Sequence, residues 1–298
     1  MKLCLGTVQF GMDYGVFDTP KKDPNYCIRC LDYATQNGVN AIDTATAYGD
    51  AERIVGEFLA QKTISRDRLF ISTKHLPNVL DDCKREDYVS VIRENLQKSL
   101  LTLNADYVDA YYFHSSRYAF QPELLEAISI MQKEGLAKKV GVSVYYPDEA
   151  LACFADPHIN CIQAPYSIFD HRMKESGVFK TGAESGFNID VRTVFVKGLI
   201  RLKYNEIPEH LIKARPILAK LDDVCAQTGF SRIELAMGYV KRETEINHLV
   251  FGIRSLEQLK EDIASFNKEI PDSIFDEIDK EFSGISTDLV IPSLWVKR

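Results

Sequence analysis

Eight times along this chain, a short run of β-branched, aromatic and aliphatic residues is followed by a longer stretch with helical periodicity. The runs are LCLGT (3–7), NAIDTA (40–45), LFISTK (69–74), VDAYYFH (108–114), KVGVSV (139–144), CIQAPYS (161–167), IDVRTVF (189–195) and HLVFGI (248–253). Helical patterns fall near 24–37, 50–61, 86–103, 121–134, 147–155, 172–185, 210–227 and 255–267. Such alternation implies parallel βαβ units, and eight of them predict an α/β fold of the (β/α)8 TIM barrel type. Further helices are expected at 231–242 and 271–282. No low-complexity linker or composition break interrupts the pattern, so residues 1–298 are expected to form one barrel domain. The competing open, doubly wound sheet would carry G-x-G-x-x-G after its first strand. This chain contains no G-x-G and no G-x-x-x-x-G-K-[ST].

Composition narrows the function classes. A formal net charge of -7 argues against a broad nucleic-acid surface. No apolar run reaches 18 residues, and the opening MKLCLGTVQFGMDYG lacks a secretory apolar stretch, so no membrane partner and a cytoplasmic location are expected. The seven cysteines are scattered and mostly lie in apolar runs; Cys27 and Cys30 form a C-x-x-C inside a helical pattern with no second pair, which reads as core packing. No histidine pair has metal-ligand spacing, so no metal is expected.

In a barrel of this kind the functional groups gather where the strands end, because the βα loops surround that face. Here the apolar runs close on polar residues: Asp43, Lys74 and His114 on strands two to four, then Ser143, Gln163 and Arg192 on strands five to seven. Titratable groups on three successive strands are hard to explain by packing alone. AIDTATAYGDAE (41–52), STK (72–74) and YYFH (111–114) resemble the aspartate–tyrosine, lysine and histidine motifs of the aldo-keto reductase family, in that family's order and spacing. The resemblance runs from the opening LGTVQFG to GIRSLEQLKED (252–262) and covers essentially the whole chain. It implies that Asp43, Tyr48, Lys74 and His114 are catalytic. The chemistry agrees: carbonyl reduction needs a hydride at carbon and a proton at oxygen. Tyr48 can give the proton if Lys74, held by Asp43, lowers its pKa, while His114 can donate a hydrogen bond to the carbonyl oxygen.

The resemblance also implies NADPH bound across the barrel mouth without a Rossmann unit. Gly6 and Thr7 of the opening motif belong to that expected cofactor site. Ser143 and Gln163 are expected at the nicotinamide carboxamide, and Phe195, Lys197, Gly198 and Leu199 near the pyrophosphate. Gly252, Ile253, Arg254 and Ser255 fall toward the adenosine ribose, and Gln258 and Asp262 toward adenine. Arg254 suits a 2′-phosphate, since guanidinium pairs with phosphate bidentately. Three positions depart from the pattern: Val144 replaces a usual asparagine, Asp262 replaces another, and Arg192 stands where an aromatic often stacks on nicotinamide. The expected partner is a small carbonyl compound; LGTVQFGMDYG with VRTVFVKGLI resembles bacterial members associated with surface-sugar metabolism, which brings sugar-derived carbonyls into range. Specificity is expected in 75–85, 115–121 and 283–298, with Tyr14, Tyr118, Tyr145 and Trp295 as candidate pocket aromatics. Two alternative readings compete. One is a cofactor-sensing binding protein with slow turnover, which would need a large assembly partner. The other is a sugar isomerase or epimerase, which would need a metal or paired carboxylates. The sequence carries no sign of oligomeric state.

Overall fold

The computed structural model describes residues 1–17 and 20–295. Its eight parallel strands close into a barrel in sequential order. They are β1 (Lys2–Gly6), β2 (Ala41–Asp43), β3 (Phe70–His75), β4 (Ala110–Phe113), β5 (Val140–Ser143), β6 (Cys161–Pro165), β7 (Asn188–Arg192) and β8 (His248–Gly252). Pairing of Gly6 with Gly252 and with Asp43 joins β1 to β8 and β2, which closes the ring. All eight expected strands form, each within three residues of its expected limits. The helices form within four residues of their expected limits, except that 172–185 divides into Arg172–Glu175 and Val178–Glu184 around Gly177, whose φ is +71°. A left-handed residue cannot continue a right-handed helix, and glycine takes that conformation without steric cost. Both extra helices form, as Arg232–Lys241 and Asp272–Glu281. Among the described residues no helix is long and apolar enough to cross a membrane.

The period of two along each strand sorts the side chains into two populations. Leu3, Leu5, Ile42, Ile71, Tyr111, Phe113, Val142, Ile162, Ile189, Val191, Leu249 and Phe251 join the large apolar core that continues into the helices. The alternate residues form two small clusters inside the ring: Cys4, Ala41 and Val250, and Ala110, Tyr112 and Cys161, with Phe70 against both. Small residues on some strands leave room for Phe70 and Tyr112 from others, so the interior is packed rather than open. Cys27 and Cys30 are buried free thiols in the main core.

Deeper in the ring, Asp190 of β7 is fully buried and accepts from the Tyr112 hydroxyl (2.8 Å) and the Asn188 amide (2.7 Å), with His248 Nδ1 at 2.7 Å. Three partners compensate a carboxylate removed from water, which would otherwise be very costly. Two residues further along the strands, the next inward position reaches the candidate site residues Asp43, His114, Gln163 and Arg192.

Helix Ala51–Ala60 packs on helix Tyr88–Leu103 through Gly56, where an added Cβ would lie 2.1 Å from the Thr102 carbonyl oxygen. Gly56→Ala should therefore destabilise the fold. Overpacking costs roughly 1–3 kcal/mol, and a clash with backbone falls at the upper end. That exceeds the about 1 kcal/mol that alanine gains over glycine in a helix. A lowered urea midpoint checks this, and a raised one would show that the helices separate at little cost.

Candidate active site

Where the strands end, one cavity of about 270 Å³ opens on the barrel mouth. Asp43, Tyr48, His114, Ser143, Gln163 and Arg192 line one part of it, and Lys197, Gly198, Arg201, Gly252, Arg254 and Gln258 another. These come from six strands and their following loops, so closure of the barrel is what brings them together.

Asp43 anchors the arrangement. Its side chain accepts from Lys74 Nζ at both oxygens (2.7 Å each), from Ser72 Oγ (2.9 Å) and from Gln163 Nε2 (2.8 Å). Thr7 secures its backbone from β1, donating through N–H (2.9 Å) and Oγ1 (3.0 Å) to the Asp43 carbonyl. Lys74 is 1% exposed and gives its remaining bond to the Thr44 carbonyl at 2.9 Å. Two opposite charges are thus sealed together with their hydrogen-bonding capacity used, the condition under which a buried pair is tolerable.

Tyr48 follows β2 in a tight turn, with its N–H bonded to the Ala45 carbonyl. Its ring lies 5.1 Å from Lys74 Nζ and meets the His114 imidazole edge-on, with centroids 5.7 Å apart. The expected lowering of its pKa is not what this geometry produces. Burial raises the phenol well above its ordinary range, and Asp43 adds to the rise. Loss of hydration on burial is the larger cause, and the Lys74 charge beside the ring is offset by its own carboxylate. Among the described residues the Tyr48 hydroxyl has no hydrogen-bond partner, which leaves it able to bond to a ligand. His114 is pushed down to about 3 by burial, then by Lys74 and Arg192, and is neutral at working pH. Its Nδ1 is buried without a partner. An orphaned acceptor costs less than an orphaned N–H, which places the proton on Nε2.

Gln163 has a defined orientation: its amide nitrogen must face the carboxylate of Asp43, an acceptor only. Its Oε1 is consequently buried with no partner, beside Ser143 in the strand register. A buried acceptor of this kind fits the amide donor of a nicotinamide carboxamide. In the other part of the cavity Arg254 Nη2 is likewise buried and unpartnered, between Gly15 (φ +117°) and Gly198 (φ +94°). A Cβ on Gly15 would come within 2.8 Å of that nitrogen, and one on Gly198 within 3.3 Å. The cradle therefore depends on both glycines. Thr193, Val196 and Lys197 share the left-handed region, which is strained for β-branched residues. They turn the chain after β7 back over the cavity. The Tyr14 ring approaches Lys197 Nζ to 4.9 Å from the opposite side. The residues present fit a nicotinamide dinucleotide.

Arg192 guanidinium stacks 4.3 Å from the Tyr145 ring centroid and donates to the Val144 carbonyl (2.9 Å) and Thr193 Oγ1 (3.2 Å). Two of the three departures from the family pattern thus meet each other. The third, Asp262, does not reach the cavity: it is fully buried beneath Arg201, to which it is ion-paired, and burial pushes it up to about 7. An adenine contact from Asp262 is sterically closed in this structure. Leu199 and Ile253 face the apolar core instead of the cavity. Ser255 caps helix Leu256–Phe266, accepting from the Gln258 N–H at 3.2 Å, a role that Ser-x-x-Gln already signals. Gly6, Thr7 and Phe195 line the cavity. Of the candidate aromatics, Tyr14 and Tyr145 do so, whereas Tyr118 is buried against Asp81 and Trp295 donates to the Leu289 carbonyl. Val296, Lys297 and Arg298 of the expected specificity tail lie outside the described residues. Arg201 and Ser72 were not singled out from sequence. Arg201 closes the basic run VKGLIR, and Ser72 shares the inward parity of Lys74, so both left a signal.

Lys74→Met should cost about 3 kcal/mol in urea unfolding, because it leaves Asp43 buried without its cation. Adding Asp43→Asn should recover part of that loss. Full stability in the single variant would show that the pair is hydrated.

With this geometry in hand, similarity to known proteins is informative. A family model described as "Aldo/keto reductase family" matches residues 2–281. An Escherichia coli protein named NADH-specific methylglyoxal reductase is 25% identical, over 84% of this chain and 86% of its own. Norsolorinic acid reductase of Aspergillus flavus is 26% identical, covering 93% of this chain and 76% of the relative. Among solved structures, the holo form of an aldo-keto reductase from Bacillus halodurans superposes with a TM-score of 0.77 at 24% identity, over 94% of this chain and 91% of that one.

Proposed function

The chain belongs to the aldo/keto reductase family, oxidoreductases that act on carbonyl groups, and on that premise we propose that it reduces an aldehyde or ketone with NADPH. Sugar-derived carbonyls fall within that range. The reading is carried by one observation: a phenol, a neutral imidazole and a sealed lysine–aspartate pair share one wall of the cleft.

When bound, the reduced nicotinamide supplies the hydride. The protein must then hold the carbonyl, supply a proton and tolerate the charge left behind. His114 Nε2–H donates to the carbonyl oxygen and polarises it; being neutral, the ring withdraws electron density without acting as the acid. Tyr48 gives the proton. Its raised pKa means that the donor is always loaded, and the phenolate formed by donation is strongly basic and quickly reprotonated. Lys74, held by Asp43, packs beneath the Tyr48 ring and fixes its position. Ser143 and Gln163 would hold the carboxamide, and Arg254 with Gly198 would meet the phosphate-bearing end.

The preference for NADPH rests on Arg254. Among the described residues no carboxylate lies within 4.0 Å of its guanidinium, and desolvation and Arg201 push its pKa down against a weaker opposing effect of Glu206, so a 2′-phosphate would relieve a cation short of counter-charge. The Escherichia coli relative, by contrast, is named for NADH.

Tyr48→Phe keeps the ring and removes the proton, and should lower kcat by at least ~10²-fold while the Kd for NADPH barely moves. Near-normal reduction of a panel of aldehydes by this variant would remove Tyr48 from the role. Arg254→Ala should weaken NADPH about 10- to 150-fold more than NADH, the worth of a charge-assisted bidentate contact. Fluorescence titration with both cofactors reads this; equal losses would place the phosphate elsewhere.

A further inference from the structure

We propose that Arg192 docks the negative charge of the substrate, so that the cleft selects carbonyl compounds carrying a carboxylate, sugar acids among them. The inference rests on the carbonyl-reductase reading and adds the substrate class to it.

The charges at the reactive part of the cleft carry the argument. Asp43 and Lys74 cancel at 2.7 Å. His114 is neutral, and Tyr14 and Tyr48 are held as phenols above their ordinary range, chiefly by burial. Arg192 remains, and a guanidinium is always charged in a protein. Among the described residues no carboxylate lies within 4.0 Å of it, whereas Arg201 in the same cavity has Glu261 and Asp262. A half-buried cation without a counter-charge is costly unless a ligand provides one.

Arg192 is also immobilised before any ligand arrives. Stacking on Tyr145 fixes the plane, and the bonds to Val144 O and Thr193 Oγ1 use one donor from each terminal nitrogen. Other N–H groups of the fork stay available, and a carboxylate matches their spacing. Pre-organisation of this kind lowers the entropy cost of binding. The position is distinct from the phosphate-binding part, where Arg254 sits between Gly15 and Gly198. Arg192 instead neighbours Tyr145 and acts electrostatically on Tyr48 and His114. An anion bound there lies beside the groups that handle the carbonyl oxygen.

The test compares 4-oxobutanoate with its methyl ester, which has the same aldehyde and no charge, in the NADPH-loaded enzyme. The wild type should favour the acid at least 10-fold in kcat/KM, mostly through KM. In R192Q that ratio should fall at least 10-fold, and R192K should retain part of it. Calorimetric titration with succinate, which cannot be reduced, should show at least 10-fold weaker binding to R192Q. An equal acid-to-ester ratio in wild type and R192Q overturns the proposal. So does a loss of NADPH affinity in R192Q as large as the loss for succinate, because the guanidinium would then serve the cofactor. A wild type that reduces neither aldehyde counts against the carbonyl-reductase reading alone. Succinate binding then decides on Arg192: weakened in R192Q it upholds the docking role, and unchanged it overturns it.

Discussion

The ion pair between Asp43 and Lys74 is the interaction on which the rest of the site depends. Neither charge could be buried alone at this depth, since each would face a desolvation penalty of several kcal/mol. Together, with Ser72 from β3, Gln163 from β6 and the Thr44 carbonyl, they form a closed set drawn from several strands. The pair therefore ties β2, β3 and β6 together within the ring. It also fixes the orientation of Gln163, because only one end of an amide can face a carboxylate. Around this cancelled pair burial keeps Tyr48 protonated and His114 neutral, which leaves Arg192 without a carboxylate within 4.0 Å among the described residues.

The architecture was legible in the sequence because eight apolar runs and eight helical stretches alternate with little interruption. The one misread helix, at 172–185, broke at Gly177, a residue whose left-handed backbone becomes apparent only when the chain turns. The inward strand-end residues were legible for a related reason: Asp43, Lys74, His114 and Gln163 interrupt apolar runs at the same end of each strand. Loop residues were harder to place. Leu199, Ile253 and Ser255 sit beside Gly198 and Arg254 in sequence, but the tight turns after β7 and β8 send neighbouring side chains to opposite sides. Asp262 could not be placed from sequence, because its position is set by Arg201, sixty-one residues away. The pKa of Tyr48 departs from the expectation because burial of the phenol, which depends on the closed barrel, outweighs a cation already paired with Asp43.

The two-residue alternation inside the ring has a consequence for how such a protein can change over evolutionary time. Asp43, Lys74, Gln163 and Arg192 share their strands with Ile42, Thr73, Ile162 and Val191, which point toward the helices. One residue inserted or deleted within a strand would exchange the two populations, burying carboxylate or ammonium under the helices and presenting aliphatic side chains to the reacting carbon. Length variation is thus confined to the connections, while the strands keep a fixed count. The strand-end groups are held in place by the geometry of the pleat as much as by their chemistry. Loops around the mouth can lengthen, shorten and acquire new side chains, so substrate range can drift while the reaction itself is held in register.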